Sequence, residues 1–542
     1  MKKLSILLIL CLIITCLTGC GQKIEENPDD SHSDTDVIID NSIEVIEPFN
    51  IENIQSFYTA SNVDEYSGRP LIYENSAATK AFELYRKFAI DCFKKSITTG
   101  ENEIMSPFSF YYSLAMLANG ADSKTKDQLQ TLLGMTVEDL NMFLGELDKY
   151  YSNESFDKAN ALWINTNPAF GSPPKQSYID LVNTYYDAMI GKENFQENTD
   201  KLVNDVNSWV TNKTGNKITE ILSTDDIEQN SYIIFLNALT TGGFWDLPFD
   251  SMKTTKESFT ALDGTKTDVD MMHQTIQGYW HTENATGIVK ALDSYGVSFV
   301  AILPNEGIDI YDYINQMNAN TIMDLINSEQ YEDIIETKTE TYEGGSYEYD
   351  IVDQYFTNIS LPKFSYNKNY DLIETLKNFG LSDLLDPSTC DFSKISDSVY
   401  VQKAIQKATV TVDEEKATAA AVTMIIGGKG AAGPQVRNTY VYDVVFDRPF
   451  IFAFVTKDMP LFIGVVTNIE NVETQSFQIK NITGTINIRS YPSVYSEIVG
   501  SFTLDQVLTA YDSVRAEGYT WYKIGENQWV ADQNNEWIEI IR

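Results

Sequence analysis

Cysteine is scarce in this chain: there are five among 542 residues, and two of them, Cys11 and Cys16, lie in an apolar leader. The remaining three, Cys20, Cys92 and Cys390, are too few for a disulfide framework and too widely spaced for a zinc site. Histidine is rarer still, and His32, His273 and His281 show neither the spacing of a metal pair nor the context of a nucleophilic triad. Asp263, Asp268 and Asp270 fail the calcium-loop pattern. Gly427-Gly-Lys-Gly430 lacks the first glycine and the following Ser or Thr of a phosphate loop. No catalytic residue, metal or cofactor is therefore expected, and the chain reads as a non-enzyme. Basic residues are outnumbered two to one, 39 Lys and Arg against 78 Asp and Glu, for a net charge of -39. That balance excludes nucleic acid as a partner and adsorption to anionic lipid through a basic face. Its plain consequence is solubility.

A long apolar run is also missing. Leu4 to Leu17 falls short of the roughly 20 residues that span a bilayer, and Lys2 and Lys3 precede it, as in a signal peptide. The closing Leu17-Thr18-Gly19-Cys20 resembles the bacterial lipobox. That resemblance implies cleavage before Cys20, diacylation of its sulfur, and anchorage to the cell membrane facing the extracellular space. A plain secretory signal with a chance cysteine is the alternative. Residues 1–19 are thus expected to be a lipoprotein signal peptide. Residues 20–70 are expected to form an acidic disordered tether: Glu25, Glu26, Asp29, Asp30, Asp34 and Asp36 crowd a stretch with too little apolar surface to offset chain entropy.

What the chain does have is a patterned body. Ala81, Tyr85, Phe88 and Cys92 recur at helical spacing, with Cys92 as a small buried hydrophobe. Ser106-Pro107 supplies a cap and a first-turn proline for a second helix, whose run Phe108 to Leu117 is apolar on most sides. A third helix covers Lys124 to Leu133 and stops at Gly134, and Val203, Val206, Trp209 and Val210 mark a fourth, ending near Gly215. Strands are expected at Ser231–Leu239, Val297–Leu303, Thr409–Val412, Tyr442–Phe446, Phe450–Val455 and Leu461–Val466. Helices first and strands later predict an α+β domain with large, mainly antiparallel sheets.

These pieces, in this order, resemble the serpin family over residues 71–470. The resemblance rests on Asn102 to Ser109 with Leu114 to Leu117, on Asn207-Ser-Trp209 with Thr214 to Ile218, and on Leu236-Asn-Ala238 with Trp245 and Pro248-Phe249. Leu361-Pro-Lys-Phe364, Arg448-Pro-Phe450 and Pro460 to Gly464 extend it. It implies the serpin fold, with helices packed around three β-sheets and an exposed reactive loop, and it implies a protease inhibitor. Glu414, Glu415, Lys416, Ala417, Thr418, Ala419, Ala420, Ala421, Val422 and Thr423 resemble the loop's hinge. In inhibitory members a protease cleaves the loop, which then enters the main sheet as a new strand. A strand slipping between two others must present small, uncharged side chains. Ala417, Ala419, Ala421 and Thr423 on one face, and Thr418, Ala420 and Val422 on the other, meet that demand.

There are departures. Lys416 stands where the family usually has the conformational freedom of Gly. Gln406 replaces the usual His of a polar cluster under the sheet opening, which the resemblance places with Ser106, Ser109 and Asn237; Gln can donate and accept with similar reach. Thr240-Thr-Gly-Gly243 lacks the usual Lys before its glycines. The family's usual spacing from Glu414 implies a scissile bond at Lys429 or Gly430, whereas counting back from Arg448 in the same way lands near Arg437, because this loop is longer than typical.

Residues 479–542 resemble a bacterial Src-homology-3-like domain, a small all-β barrel, through Ile486 to Ser493, Trp521-Tyr-Lys-Ile524 and Trp529-Val530. Trp521 and Trp529 are expected to fill the barrel core, and a cell-wall or peptide ligand is implied for the module. The expected whole is a monomer whose partner is an extracellular serine protease, with the membrane reached through acylated Cys20. A non-inhibitory surface binding scaffold is the other reading.

Overall fold

The computed structural model describes residues 76–541, apart from several internal stretches, the longest being 416–434. The signal segment, the tether and Cys20 lie outside the described residues.

The helix Pro107–Gly120 sits at the centre of the body because its sequence leaves it no polar side; every residue but Ser113 is buried. Ser106 caps it, accepting a hydrogen bond from the Ser109 N–H. The helix Ser76–Ser96 turns Phe82, Tyr85, Phe88, Ala89 and Cys92 toward the same core, and the Tyr85 and Phe88 rings both meet Tyr111 edge-on. Helix Ser123–Leu133 ends at Gly134 in the left-handed conformation (φ 75°), where a Cβ would crowd Leu84.

Beneath the central helix lies a six-stranded antiparallel sheet. Its strands Phe450–Thr456 and Pro460–Val466 are buried at every position, which explains their unbroken apolar sequence. A second sheet joins Glu332–Tyr342, Gly345–Pro362, Lys266–Gln277 and Thr255–Thr260, with Gln435–Val445 added parallel to Gly345–Pro362. Its long hairpin, 332–362, was not foreseen from the sequence. Residues 332–348 are largely exposed on both faces and rich in Glu, Thr and Tyr, so no apolar period betrays them.

The third sheet is split. One part orders β2 (Met189–Glu193), β1 (Phe156–Asn165) and β3 (Ile233–Thr241); the other pairs β4 (Phe364–Asp371) with β5 (Ile405–Val412). β3 and β5 lie side by side, yet among the described residues no hydrogen-bonded ladder joins them.

Residues 477–541 form eight short strands in two sheets around Ile479, Ile486, Phe502, Ala510, Tyr522, Val530 and Ile538. Trp521 and Trp529 do not lie in that core, contrary to expectation. Side chains alternate along the strands Tyr519–Gly525 and Gln528–Asp532. Tyr522 and Val530 therefore face inward, while Trp521, Trp529 and Ala531 pack on the opposite face around Phe244 of the main body.

Candidate functional site: the sheet opening

The lower end of the gap between β3 and β5 is a buried polar cluster. β5 alternates so that Gln406, Ala408, Val410 and Val412 face inward. The Gln406 amide accepts from the Ser106 N–H at 2.9 Å and donates to the Ser106 carbonyl at 2.8 Å. Ser106 Oγ donates to the Leu461 carbonyl. Ser109 Oγ donates to Asn237 Oδ1, and Asn237 in turn donates to Asn160 across the β1–β3 pair. Ser106, Ser109, Asn237 and Gln406 are thus one connected network tying both lips of the gap to the start of the central helix. Glutamine, with an acceptor oxygen and a donor nitrogen on one amide, satisfies both backbone groups of Ser106. Asn160 belongs to this network and was missed; as one Asn among many, it carries no sequence signal.

The upper end holds residues 413–415, which lead into the proposed hinge. After Val412 the chain runs along the residues that follow β3. The Trp245 indole N–H donates to the Asp413 carbonyl at 2.9 Å, the Phe249 N–H to that of Glu414, and the Trp245 N–H to that of Glu415. Asp413 Oδ1 accepts from the Glu415 N–H, folding a local turn. The Glu414 carboxylate takes Lys363 at 2.7 Å and the Thr254 hydroxyl at 2.8 Å. Glu415 meets Lys523 of the carboxyl-terminal strands at 2.5 Å. β3 and β5 consequently run in the same direction, and each ends at this junction.

Trp245 is itself seated on Lys290. The Lys290 ammonium lies 4.7 Å from the Phe249 ring centre and 5.1 Å from that of Trp245, and donates to the Leu247 carbonyl and the Gln274 side chain. The aromatic faces and acceptors favour its charge. Burial opposes it and prevails, pulling the pKa down to about 7 against a smaller upward effect of Asp246.

Of the proposed hinge, Glu414 and Glu415 are placed as described. Lys416, Ala417, Thr418, Ala419, Ala420, Ala421, Val422 and Thr423 lie outside the described residues, as do Lys429 and Gly430. Arg437 lies within the strand Gln435–Val445, forked onto Asp353 by two hydrogen bonds of 2.9 and 2.6 Å. Arg437 is the residue passed over where the register of that ladder shifts between Val436 and Asn438. His273 lies between Ser360 and Thr255 and 2.8 Å from Glu257, and His281 stacks on Tyr279. Cys92 is buried and Cys390 half-buried, and neither forms a disulfide.

A sheet split between two adjacent strands, around a central buried helix, defines the class of the body. Comparison with known proteins gives that class its name. The profile of the family described as serpin (serine protease inhibitor) matches residues 83–469; the chain belongs to the serpin family. An uncharacterized serpin-like protein from Methanosarcina acetivorans is 26% identical over 463 residues, covering 83% of this chain and 95% of its own. Iris from Ixodes ricinus is 28% identical over 397 residues, covering 70% of this chain and 96% of its own. Among solved structures, the thermophilic serpin tengpin in its native state matches with a TM-score of 0.60 at 31% identity, over 72% of this chain and 94% of that one. The same protein in its latent state matches at 0.57 and 28%, over 72% and 98%.

Proposed function

We propose that this protein is an exported, lipid-anchored inhibitor that traps a serine or cysteine protease by cleavage and insertion of its reactive loop. The observation that supports the reading is the unpaired boundary between β3 and β5, with residues 413–415 leaving β5 at its upper end. A chain leaving β5 there and turning back would run antiparallel to both lips, completing two ladders at once. In the trap, the protease's nucleophile attacks the scissile carbonyl, the amine of the next residue leaves, and an acyl-enzyme ester or thioester remains. Insertion of Ala417 to Thr423 then carries the acylated enzyme away before water can hydrolyse that bond. Among the bait residues, Lys429 suits an enzyme with an acidic specificity pocket. Gly430 suits one with a shallow pocket.

Lys416 favours the second reading, in which a stiff hinge leaves the body a non-inhibitory surface scaffold and the carboxyl-terminal Src-homology-3-like module supplies recognition. Incubation with trypsin-type and subtilisin-type proteases separates the two. Trapping predicts an adduct of inhibitor and protease that survives boiling in detergent. Clean loop cleavage with fully active protease left behind would establish the scaffold.

A further inference from the structure

The carboxyl-terminal strands touch the body at the place where the sheet must open. Phe244, three residues past the end of β3, is 1% exposed; its ring meets Trp529 edge-on at 5.8 Å and lies 5.1 Å from Tyr491. Trp521 and Ala531 complete the pocket around it. On the same face of the module, Lys523 lies 5.8 Å from the centre of the Trp529 ring and pairs with Glu415, three residues past the end of β5. One rigid face therefore grips an aromatic anchor on one lip and a carboxylate on the other.

We propose that this face is an intramolecular docking surface whose occupant is the sheet opening itself, and that the module acts as a strap that slows loop insertion. The geometry requires it. Adjacent strands lie about 4.8 Å apart, so admitting a strand between β3 and β5 widens their separation to roughly twice that. A module core closed by Ile479, Phe502, Tyr522 and Val530 cannot stretch by that amount. Either Phe244 leaves its pocket or Glu415 leaves Lys523. The ion pair is the weaker anchor, since both side chains keep about a quarter of their exposure (23% and 25%).

This inference rests on the insertion reading, and the test distinguishes the two failures. The full chain, Lys523→Glu, Glu415→Lys and the double exchange are held at a mildly elevated temperature. The rate at which the uncleaved protein converts to a form resistant to urea unfolding is measured, after circular dichroism has shown that each variant starts folded. Each single reversal is expected to speed conversion about fivefold, a change within reach of a part-buried charge pair turned repulsive. The double exchange is expected to return close to the parental rate, a rescue that general destabilisation does not produce. Phe244→Ala, removing the other anchor, is expected to act in the same direction. Unchanged rates in proteins whose loop-cleaved forms still gain thermal stability would overturn the strap alone. If loop cleavage brings no thermal gain in the parent, the insertion reading falls and takes the strap with it.

Discussion

At the scale of single residues, Lys290 has the most sharply defined physics. It is buried beneath the two aromatic rings that support the hinge, and its pKa is brought down to about 7 from the usual 10.5. The sign follows directly. Between these two values the unfolded chain holds a proton that the folded chain has released, so this residue makes stability rise with pH through that window. Its limiting slope is about 1.4 kcal/mol per pH unit. The charge of -39 pushes in the opposite direction through self-repulsion, so the informative quantity is a difference. Denaturant midpoints of the parent and of Lys290→Met, followed from pH 7 to 10, are expected to diverge, with the parent gaining on the variant as pH rises. Parallel curves would show that Lys290 keeps its charge throughout. Nothing in the sequence distinguished Lys290 from other strand lysines; only the convergence of Trp245 and Phe249 upon it does. Gln406 was legible, because the family resemblance located it and its two-sided hydrogen bonding followed from the amide group.

At the scale of elements, legibility depended on period. The central helix and the strands at 450–456 and 460–466 announced themselves because burial on all sides demands continuous apolar sequence. The hairpin 332–362 did not, since the described residues of 332–348 are largely exposed and are held mainly by the ladder with the facing strand. Trp521 and Trp529 were recognised as buried aromatics but assigned to the wrong side of their strands. An alternating pattern tells which residues share a face, not which face is the core, when both are covered. The hinge element carries its own prediction. Lys416 follows a carboxylate held by Lys523 and stands at the position where the family resemblance expects a glycine. Lys416→Gly restores conformational freedom at that point. Titration against a trapped protease is expected to need several-fold less of the variant than of the parent per protease silenced. An equal requirement would mean that the step is limited elsewhere, in the separation of the lips.

For the whole molecule, the excess of 39 negative charges decides which proteases arrive quickly. A summed field of one sign speeds encounters with oppositely charged partners and slows those with like-charged ones, by factors of about 10 or more at low ionic strength. Association with a basic protease, followed by loss of its activity, is therefore expected to slow markedly as salt is raised from low to high concentration. Association with an acidic protease of the same specificity is expected to quicken. A rate indifferent to salt for both would place the reactive loop beyond the reach of the body's field. Composition gave this property outright. The split in the third sheet, by contrast, emerges only from strand pairing, because β3 and β5 read as ordinary half-buried strands.

The seating of Phe244 in the cluster that holds Trp521 and Trp529 has an optical consequence. Trp521 and Trp529 are each 1% exposed, and they owe that shelter to the body as well as to their own module. Indole emission shifts to longer wavelength on contact with water, so any event that lifts the module from the lips is written into the protein's native fluorescence. The release that the proposed strap calls for would thus be readable in real time without a label.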